Sequence, residues 1–324
     1  MPALNEFELI RRFFTHPARG AVLGVGDDAA IVQARRGQEL VVTTDMLVAG
    51  RHFRHGADPE QLGHKALAVN LSDIAAMGAT PRWATLALAL PRANARWLAA
   101  FSRGFMRLAR RHGLDLVGGD TTRGPLAVCV QIVGEVPRGR ALRRDGARVG
   151  DDVWVSGTLG DAALALAVRR GRILAVPRER RALKLKLDAP VPRVGLGIAL
   201  RGMARSAIDI SDGLIADLGH ICERSRVAAV VQFDRLPVSA IMRRNLGRPA
   251  ARAALLAGGD DYELVFTAGR SWRNAIARLA QRLRLKLTRI GRIARPRRGV
   301  PPVTVLDADG RPIAVKRGGY QHFI

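Results

Sequence analysis

The apolar residues of this chain come in runs of strand length or of helical period, and none is long enough to cross a bilayer. Trp83 to Leu90 and Leu126 to Gly134 are the best stretches, well short of the ~18 residues a membrane helix needs. Between them the period changes. Pro59 to Met77 sets Leu62, Ala66, Leu67, Val69, Leu71 and Ile74 at helical spacing, and Ala93 to Arg111 does the same with Trp97, Leu98, Phe101, Phe105 and Leu108. Such alternation confines the chain to α/β architectures built from short strands. Further strands are expected over Leu40 to Thr44, Leu114 to Val117, Ala127 to Val136, Val153 to Ser156, Ala207 to Ile210, Ala228 to Phe233, Glu263 to Thr267, Leu285 to Ile293 and Val303 to Leu306. Further helices are expected over Leu159 to Arg170, Val194 to Arg205, Leu214 to Arg224 and Trp272 to Leu283. Periodicity fails around Pro137, Gly139, Arg143, Arg144, Gly146 and Gly150. The spacing therefore predicts two domains, residues 1–140 and 141–324, a division that 324 residues can support.

Charge narrows the function less than it first promises. Lys plus Arg total 53 against 28 acids, a net +25, which raises nucleic acid or an anionic surface as partner. Only five of the 53 are lysine, and the arginines are scattered as pairs from Arg35-Arg36 to Arg297-Arg298. No zinc finger, RNA-recognition signature or aromatic-interleaved basic strip accompanies them, so no specific nucleic-acid function is expected. Cys129 and Cys222 form no CxxC and stand in no ligand spacing, which excludes a disulfide framework and a cysteine zinc site; both are read as core residues. Glu6 and Glu8 interrupt a segment that a secretory signal would make basic and then apolar. The chain is expected in the cytoplasm, without membrane attachment.

The acids carry more information than the bases. In a chain short of carboxylates, aspartates sit among small or apolar residues at Gly26-Asp27-Asp28-Ala29-Ala30, Thr43-Thr44-Asp45-Met46, Asn70-Leu71-Ser72-Asp73-Ile74, Gly118-Gly119-Asp120-Thr121-Thr122, Asp209-Ile210-Ser211-Asp212-Gly213 and Gly258-Gly259-Asp260-Asp261-Tyr262-Glu263. An unpaired buried carboxylate is costly, so acids in such settings are paired, cap a helix or hold a metal. Asp45 and Asp120 are each expected at a strand end, and Asp73 on a helix one turn from Asn70. With Ser and Thr interspersed the donors are nearly all oxygen, which suits the hard cation Mg²⁺ bridging one or two carboxylates to substrate phosphates.

Several familiar chemistries do not fit. Gly24 to Ala29 matches the dinucleotide pattern GxGxx[GA], yet Asp27 and Asp28 would repel a pyrophosphate at that loop unless a cation intervened. The chain holds no GxxxxGK[ST] and neither protein-kinase signature. Ser72 and Ser211 stand beside aspartates rather than in GxSxG, so hydroxyls serving metal and phosphate are the better reading. Seven histidines occur without HxxxH or HExxH. His52, following the Asp45 segment, is the one histidine kept as a candidate.

Taken in order, the motifs GDDAA, TTDMLVAGRHF, KALAVNLSDIAAMGA, GGDTTRGPL, DISDGLIADLGHI, GGDDYELVF and a terminal GGYQHF resemble the thiamine-monophosphate kinase family over residues 4 to 323. That family lies in the superfamily that also holds aminoimidazole ribonucleotide synthetase and selenophosphate synthetase. The resemblance implies an α/β (α+β) fold of two domains, aminoimidazole ribonucleotide synthetase-like, with mixed sheets flanked by helices. It implies an ATP/Mg-binding and dimerisation domain over 1–140 and a synthetase-like domain over 141–324. It further implies ATP-dependent phosphorylation of thiamine monophosphate in a homodimer, with several Mg²⁺ ions. Carried over by position, Asp28, Thr43, Thr44, Asp45, Asp73, Asp120, Asp209 and Asp212 look like magnesium-site residues. Gly119, Asp120, Arg144 and Ser211 resemble the ATP contacts, and His52, Asp260 and Tyr320 the substrate side. Two departures stand out. Asp260 replaces the usual glutamate of GGEDYE and is one methylene shorter, and Arg110-Arg111-His112 stands where the family often has an aromatic near the nucleotide.

Thiamine monophosphate brings its own acceptor phosphate, anionic at neutral pH, so no general base is required and none is assigned. The task is positioning two polyanions and neutralising the transferring group, and direct in-line transfer without a phospho-enzyme is expected. Two other readings make different demands. A selenophosphate synthetase would need a reactive Cys or selenocysteine with a lysine near the N-terminus, whereas the first cysteine here is Cys129 inside a strand. A nucleic-acid-binding protein would lose affinity steeply with salt, independently of Mg-ATP.

Overall fold

A computed structural model describes residues 6–315 and 319–320, with only the backbone of residues 6 and 7. The motif GGYQHF therefore falls partly outside the described residues, which retain only Gly319 and Tyr320 of it. The chain divides into two compact units, one of residues 1–74 and 79–139 and the other of residues 75–78 and 140–324.

The first unit runs α1 (Glu6–Phe13), β1 (Ala21–Leu23), β2 (Ile31–Val32), β3 (Gln38–Val48), α2 (Pro59–Ala76), β4 (Thr80–Leu90), α3 (Ala95–Arg111), β5 (Asp115–Arg123) and β6 (Ala127–Pro137). Its main sheet has the order β3-β6-β4-β5, antiparallel except for the parallel β4–β5 pair. α3 starts where Asn94 accepts the backbone N–H groups of Arg96 and Trp97, both at 3.1 Å, the usual device for satisfying a helix's first donors. Leu98, Phe101, Phe105 and Leu108 recur on its buried face, and Trp97 stacks on Phe101 at 5.2 Å between ring centroids. α2 is buried almost all round, taking Lys65, Asn70 and Ser72 in with the fully buried Leu67, Leu71 and Ile74.

β3 and β5 differ from the expectation. Leu40 to Thr44 is not a buried strand ending at Asp45: β3 continues to Val48, pairing with β6 as far as Val48 opposite Ala127. Its alternate residues Leu40, Val42 and Met46 are 48, 60 and 56% exposed. β5 does not stop at Gly118 but runs through both glycines, with Asp120 opposite Ala87 in mid-strand. In each case polar residues are tolerated because one face of the sheet is open and because β3 and β5 are its edges. Cys129, on that open face beside Met46 and Ala87, is only half-buried, unlike the core residue Cys222.

The second unit continues β7 (Asp152–Ser156), α4 (Asp161–Arg169), α5 (Pro177–Asp188), α6 (Val194–Leu200), β8 (Ala204–Asp209), α7 (Leu214–Ser225), β9 (Ala228–Gln232), α8 (Ala240–Asn245), α9 (Pro249–Ala257), β10 (Leu264–Ala268), α10 (Arg273–Leu283), β11 (Leu287–Ala294) and β12 (Val303–Leu306). Its six-stranded sheet has the order β12-β9-β11-β7-β10-β8, with only β12–β9 parallel. Both sheets are thus flanked by helices, and the second unit's sheet is mixed like the first. Val153, Val155, Ile208, Val231 and Val265 share one core with Leu164, Leu183, Leu218 and Leu255. The helix expected over Val194 to Arg205 ends at Leu200, and Ala204 and Arg205 already belong to β8.

Candidate functional site

In the first unit the alternation of β3 sorts the candidate residues onto two faces. Thr43, Asp45 and Leu47 lie on the better-covered face. There the Thr43 hydroxyl donates to Asp73 Oδ2 of α2 at 2.5 Å, so the helix and the strand present one hydroxyl–carboxylate pair. Thr44 points the other way, its hydroxyl donating to the Val130 carbonyl at 3.2 Å.

The open face carries a second group. A cavity of about 880 Å³ is lined by Asp27, Asp28, Gly119, Asp120, Thr85 and Gln131, among others. Asp28 and Asp120, far apart in sequence, therefore share one cavity. The Gly24–Ala29 segment shaping its rim lies in the turns between β1 and β2, with no helix following it. Gly119 allows the close approach of β5 to β4: its φ is +150°, and a Cβ there would lie 1.9 Å from the Leu86 carbonyl oxygen. His52 ends the turn after β3. Its Nδ1 accepts the Val48 N–H at 2.9 Å, so the neutral ring carries its proton on Nε2. The Arg110-Arg111-His112 segment closes α3, where burial first and then the Arg111 charge push His112 below the ordinary histidine range.

In the second unit the turn after β8 gathers most of the remaining candidates. Asp209 is buried at the strand end opposite Leu264. Ser211, Asp212 and Gly213 each aim a backbone N–H at one oxygen, Asp217 Oδ2, at 3.1, 3.1 and 3.0 Å. The carbonyls of the same turn receive the other segments. Tyr262 N–H donates to Ile210 at 2.8 Å, Asp260 N–H to Ser211 at 2.8 Å, and Tyr320 N–H to Asp212 at 3.1 Å. Ser211, Asp212, Asp260 and Tyr320 are thus brought together. Asp260 and Tyr262 both have positive φ, 68° and 50°, and the Tyr262 hydroxyl donates to Asp260 Oδ1 at 3.1 Å. Two strained residues in three fit a loop held for its side chains' placement. Arg144 stands on an exposed turn, where its carbonyl accepts the Ser225 hydroxyl at 2.7 Å.

The sequence reading missed the buried acids that support these segments. Asp217 lies inside the quoted DISDGLIADLGHI, four residues after Gly213; burial pushes its carboxyl up to about 6, opposed by the Gly213 N–H and reinforced by the Asp212 charge. Glu263 is buried and engaged bidentately by Arg193 Nε and Nη2 and by the Ser156 hydroxyl. Asp261 accepts the Gly160 N–H at 2.7 Å; burial, then the charges of Asp161 and Glu263, hold it well above the usual carboxylate range. The sequence signal for Asp217 is an acid inside an apolar run, and Asp261 and Glu263 lie within the quoted GGDDYELVF.

Among the described residues no three His, Cys, Asp or Glu side chains gather as a cage for one ion. Mg²⁺ takes one or two carboxylates, keeps several waters and completes its shell with substrate phosphates. The donors are of the right kind: Thr43 against Asp73, Asp28 with Asp120 on one cavity, and Asp209 and Asp212 bracketing one turn.

The fold and these oxygen-rich segments define a class. Residues 26–136 match the N-terminal domain of the AIR synthase related proteins. Along its whole length the chain is 44% identical over 326 residues to the thiamine-monophosphate kinase of Salmonella typhimurium, covering 99% of each. It also superposes on the crystal structure of the Stenotrophomonas maltophilia thiamine-monophosphate kinase with a TM-score of 0.84 and 51% identity, over 91% of this chain and 93% of that one. A further solved structure, AaThiL complexed with AMPPCP and TMP, matches with a TM-score of 0.77 and 32% identity over 98% and 96% of the two chains. This chain belongs to the thiamine-monophosphate kinase family. No described helix is long and apolar enough to cross a membrane.

Proposed function

We propose that the protein transfers the γ-phosphoryl group of ATP to thiamine monophosphate, forming thiamine diphosphate. The observation that carries this reading is the full-length agreement with kinases of that name, joined to a related structure that holds AMPPCP and TMP. The geometry is compatible with it. The candidate segments offer carboxylates, hydroxyls and backbone N–H groups, and an acceptor that is already an anionic phosphate needs no base. Thr43, Asp45 and Asp73 on the covered face of the first unit's sheet, Thr44, Asp28 and Asp120 on its open side, and Asp209 and Asp212 in the second unit would hold Mg²⁺. Bound there, the cation supplies charge neutralisation between the two polyanions. Gly119, Asp120, Arg144 and Ser211 are assigned to ATP; His52, Asp260 and Tyr320 orient thiamine monophosphate, His52 through its Nε2–H. Transfer is direct and in line, with no phospho-enzyme.

In this reading residues 1–140 form the ATP/Mg-binding and dimerisation domain, and residues 141–324 form the synthetase-like domain, which carries Arg144, Asp209, Ser211 and Asp212. The protein works as a cytoplasmic homodimer. The exposed apolar residues Leu40, Val42 and Met46, aligned on one face of edge strand β3, support self-association there. No specific nucleic acid and no membrane takes part. The test is an assay of ADP release with thiamine monophosphate, thiamine and aminoimidazole-pathway substrates in parallel. Release that depends on thiamine monophosphate alone is expected, and turnover of an aminoimidazole substrate instead would overturn the reading.

A further inference from the structure

We infer that Asp217 is a positioning residue for the reaction: its carboxylate fixes the Ser211–Gly213 turn, on which the Asp260 and Tyr320 segments hang. This inference rests on the kinase reading. One carboxylate oxygen collects three consecutive backbone N–H groups at 3.0 to 3.1 Å, a geometry that sets the peptide orientations of residues 211 to 213 together. Those orientations aim the Ser211 and Asp212 carbonyls at the N–H groups of Asp260 and Tyr320. A single acceptor therefore determines where Ser211, Asp212, Asp260 and Tyr320 stand relative to one another. Asp217 itself is buried on α7 and is not assigned to ATP, substrate or metal, so it acts only through the turn.

Burial of a carboxylate against three donors is also the arrangement whose loss the turn cannot repair by itself. Without the acceptor, three adjacent N–H groups must find water or rotate, and rotation carries the two neighbouring carbonyls with it. A displacement of about 1 Å at reacting groups lowers rate about a hundredfold.

The experiment compares Asp217→Ala, Asp217→Asn and Asp217→Glu with the parent full-length protein. It measures kcat and KM for thiamine monophosphate, calorimetric affinity for Mg-AMPPCP and for thiamine monophosphate, and circular dichroism for folding. Asp217→Ala is expected to lower kcat/KM about a hundredfold and to weaken both affinities. Asp217→Asn keeps an oxygen in place and is expected to stay within about tenfold of the parent. If Asp217→Ala does not fold, Asp217→Glu carries the same expectation, because it keeps the charge but moves the oxygens by one methylene. A folded Ala or Glu variant with parental kcat/KM and affinities overturns the inference, and so does an Asn variant as damaged as Ala. A parent that binds Mg-AMPPCP but does not phosphorylate thiamine monophosphate would overturn the kinase reading instead, and the AMPPCP affinities of the variants would still decide the role of Asp217.

Discussion

Replacing Gly119 by alanine is expected to force β5 away from β4 at the point where Asp120 follows. A Cβ at Gly119 would lie 1.9 Å from the Leu86 oxygen and 2.7 and 2.9 Å from the Leu86 carbon and nitrogen, all backbone atoms that cannot swing aside. Real Cβ contacts do not fall below 3.0 Å, so the strands must part by about 1.1 Å, the gap between 3.0 and 1.9 Å, against the ladder that joins β5 to β4. Overpacking of this kind costs about 1–3 kcal/mol, and an alanine held at φ +150° adds backbone strain. Together they come to roughly 2–6 kcal/mol, or about 6–18 °C in the melting temperature of a domain this size. Moving Asp120 by about 1 Å should also cost about a hundredfold in kcat/KM. Gly118 supplies the control, because a Cβ there meets only Thr85 Cγ2 at 3.8 Å, an ordinary contact. Differential scanning calorimetry of both variants, with steady-state kinetics of Gly119→Ala, tests the reasoning. A Gly119→Ala protein melting within about 1 °C of Gly118→Ala, at parental turnover, would refute it.

Asp73→Asn and Asp120→Asn are each expected to lower turnover by several orders of magnitude while circular dichroism stays unchanged, since Asn keeps the shape and removes the charge. Mg²⁺ at one hundred times its Kd should stabilise the parent by about 2.7 kcal/mol, beyond a sodium chloride control at matched ionic strength; an equal shift in Asp73→Asn would sink the metal assignment. Unphosphorylated thiamine should be a poor acceptor, because its alcohol meets no base and it lacks the bridging phosphate, so comparable rates for thiamine and its monophosphate would contradict the mechanism. Asp261 is an acid whose folded pKa lies well above its unfolded one; its contribution to stability is present at low pH and lost as pH rises through the folded value. Asp261→Asn is therefore expected to raise the melting temperature at pH 8 relative to parent and to change it little at pH 4, and the opposite order would show the sign to be wrong. Light scattering should report a dimer, and Val42→Lys a shift toward monomer; a parent that is monomeric at micromolar concentration removes the self-association proposal.

Much of the fold was legible because helical period and strand length survive in single segments. α2, α3, β4, β6 and β12 lie within a few residues of where the spacing puts them. What was illegible is decided between segments. Asp45 and Asp120 were read as strand ends because polar residues and glycines interrupt the apolar run, but their strands continue through ladder pairing with β6 and β4, which no local pattern encodes. α5, α8 and α9 escaped the sequence reading. α5 is dominated by charge, with few apolar residues to mark a period, and α8 has only six residues. The merged helix over Val194 to Arg205 fails at Arg201, whose ψ of 127° leaves the helical path, and Gly202, at φ +77°, follows it before β8 begins.

The candidate site was legible in a more selective way. The scarcity of carboxylates draws attention to acids that are paired, cap a helix or hold a metal, and the structure separates two kinds among the chain's acids. Asp27, Asp28 and Asp120 line an open cavity. Asp151, Asp152, Glu135 and Glu263 are buried against Arg205, Arg273, Arg82 and Arg193, and Asp217 is buried against backbone N–H groups alone. In a chain carrying +25, a buried acid readily finds a guanidinium, and such a pair holds segments in place because breaking it strands a charge. Asp260 and Asp261 show why sequence could not make the division. They are adjacent in a single motif, yet one has its carboxylate oxygen held by Tyr262 in a strained loop while its neighbour is driven toward its neutral form by burial. The identity of the two residues is the same, and it is the surroundings, burial beside Gly160, Asp161 and Glu263, that drive Asp261 toward its neutral form.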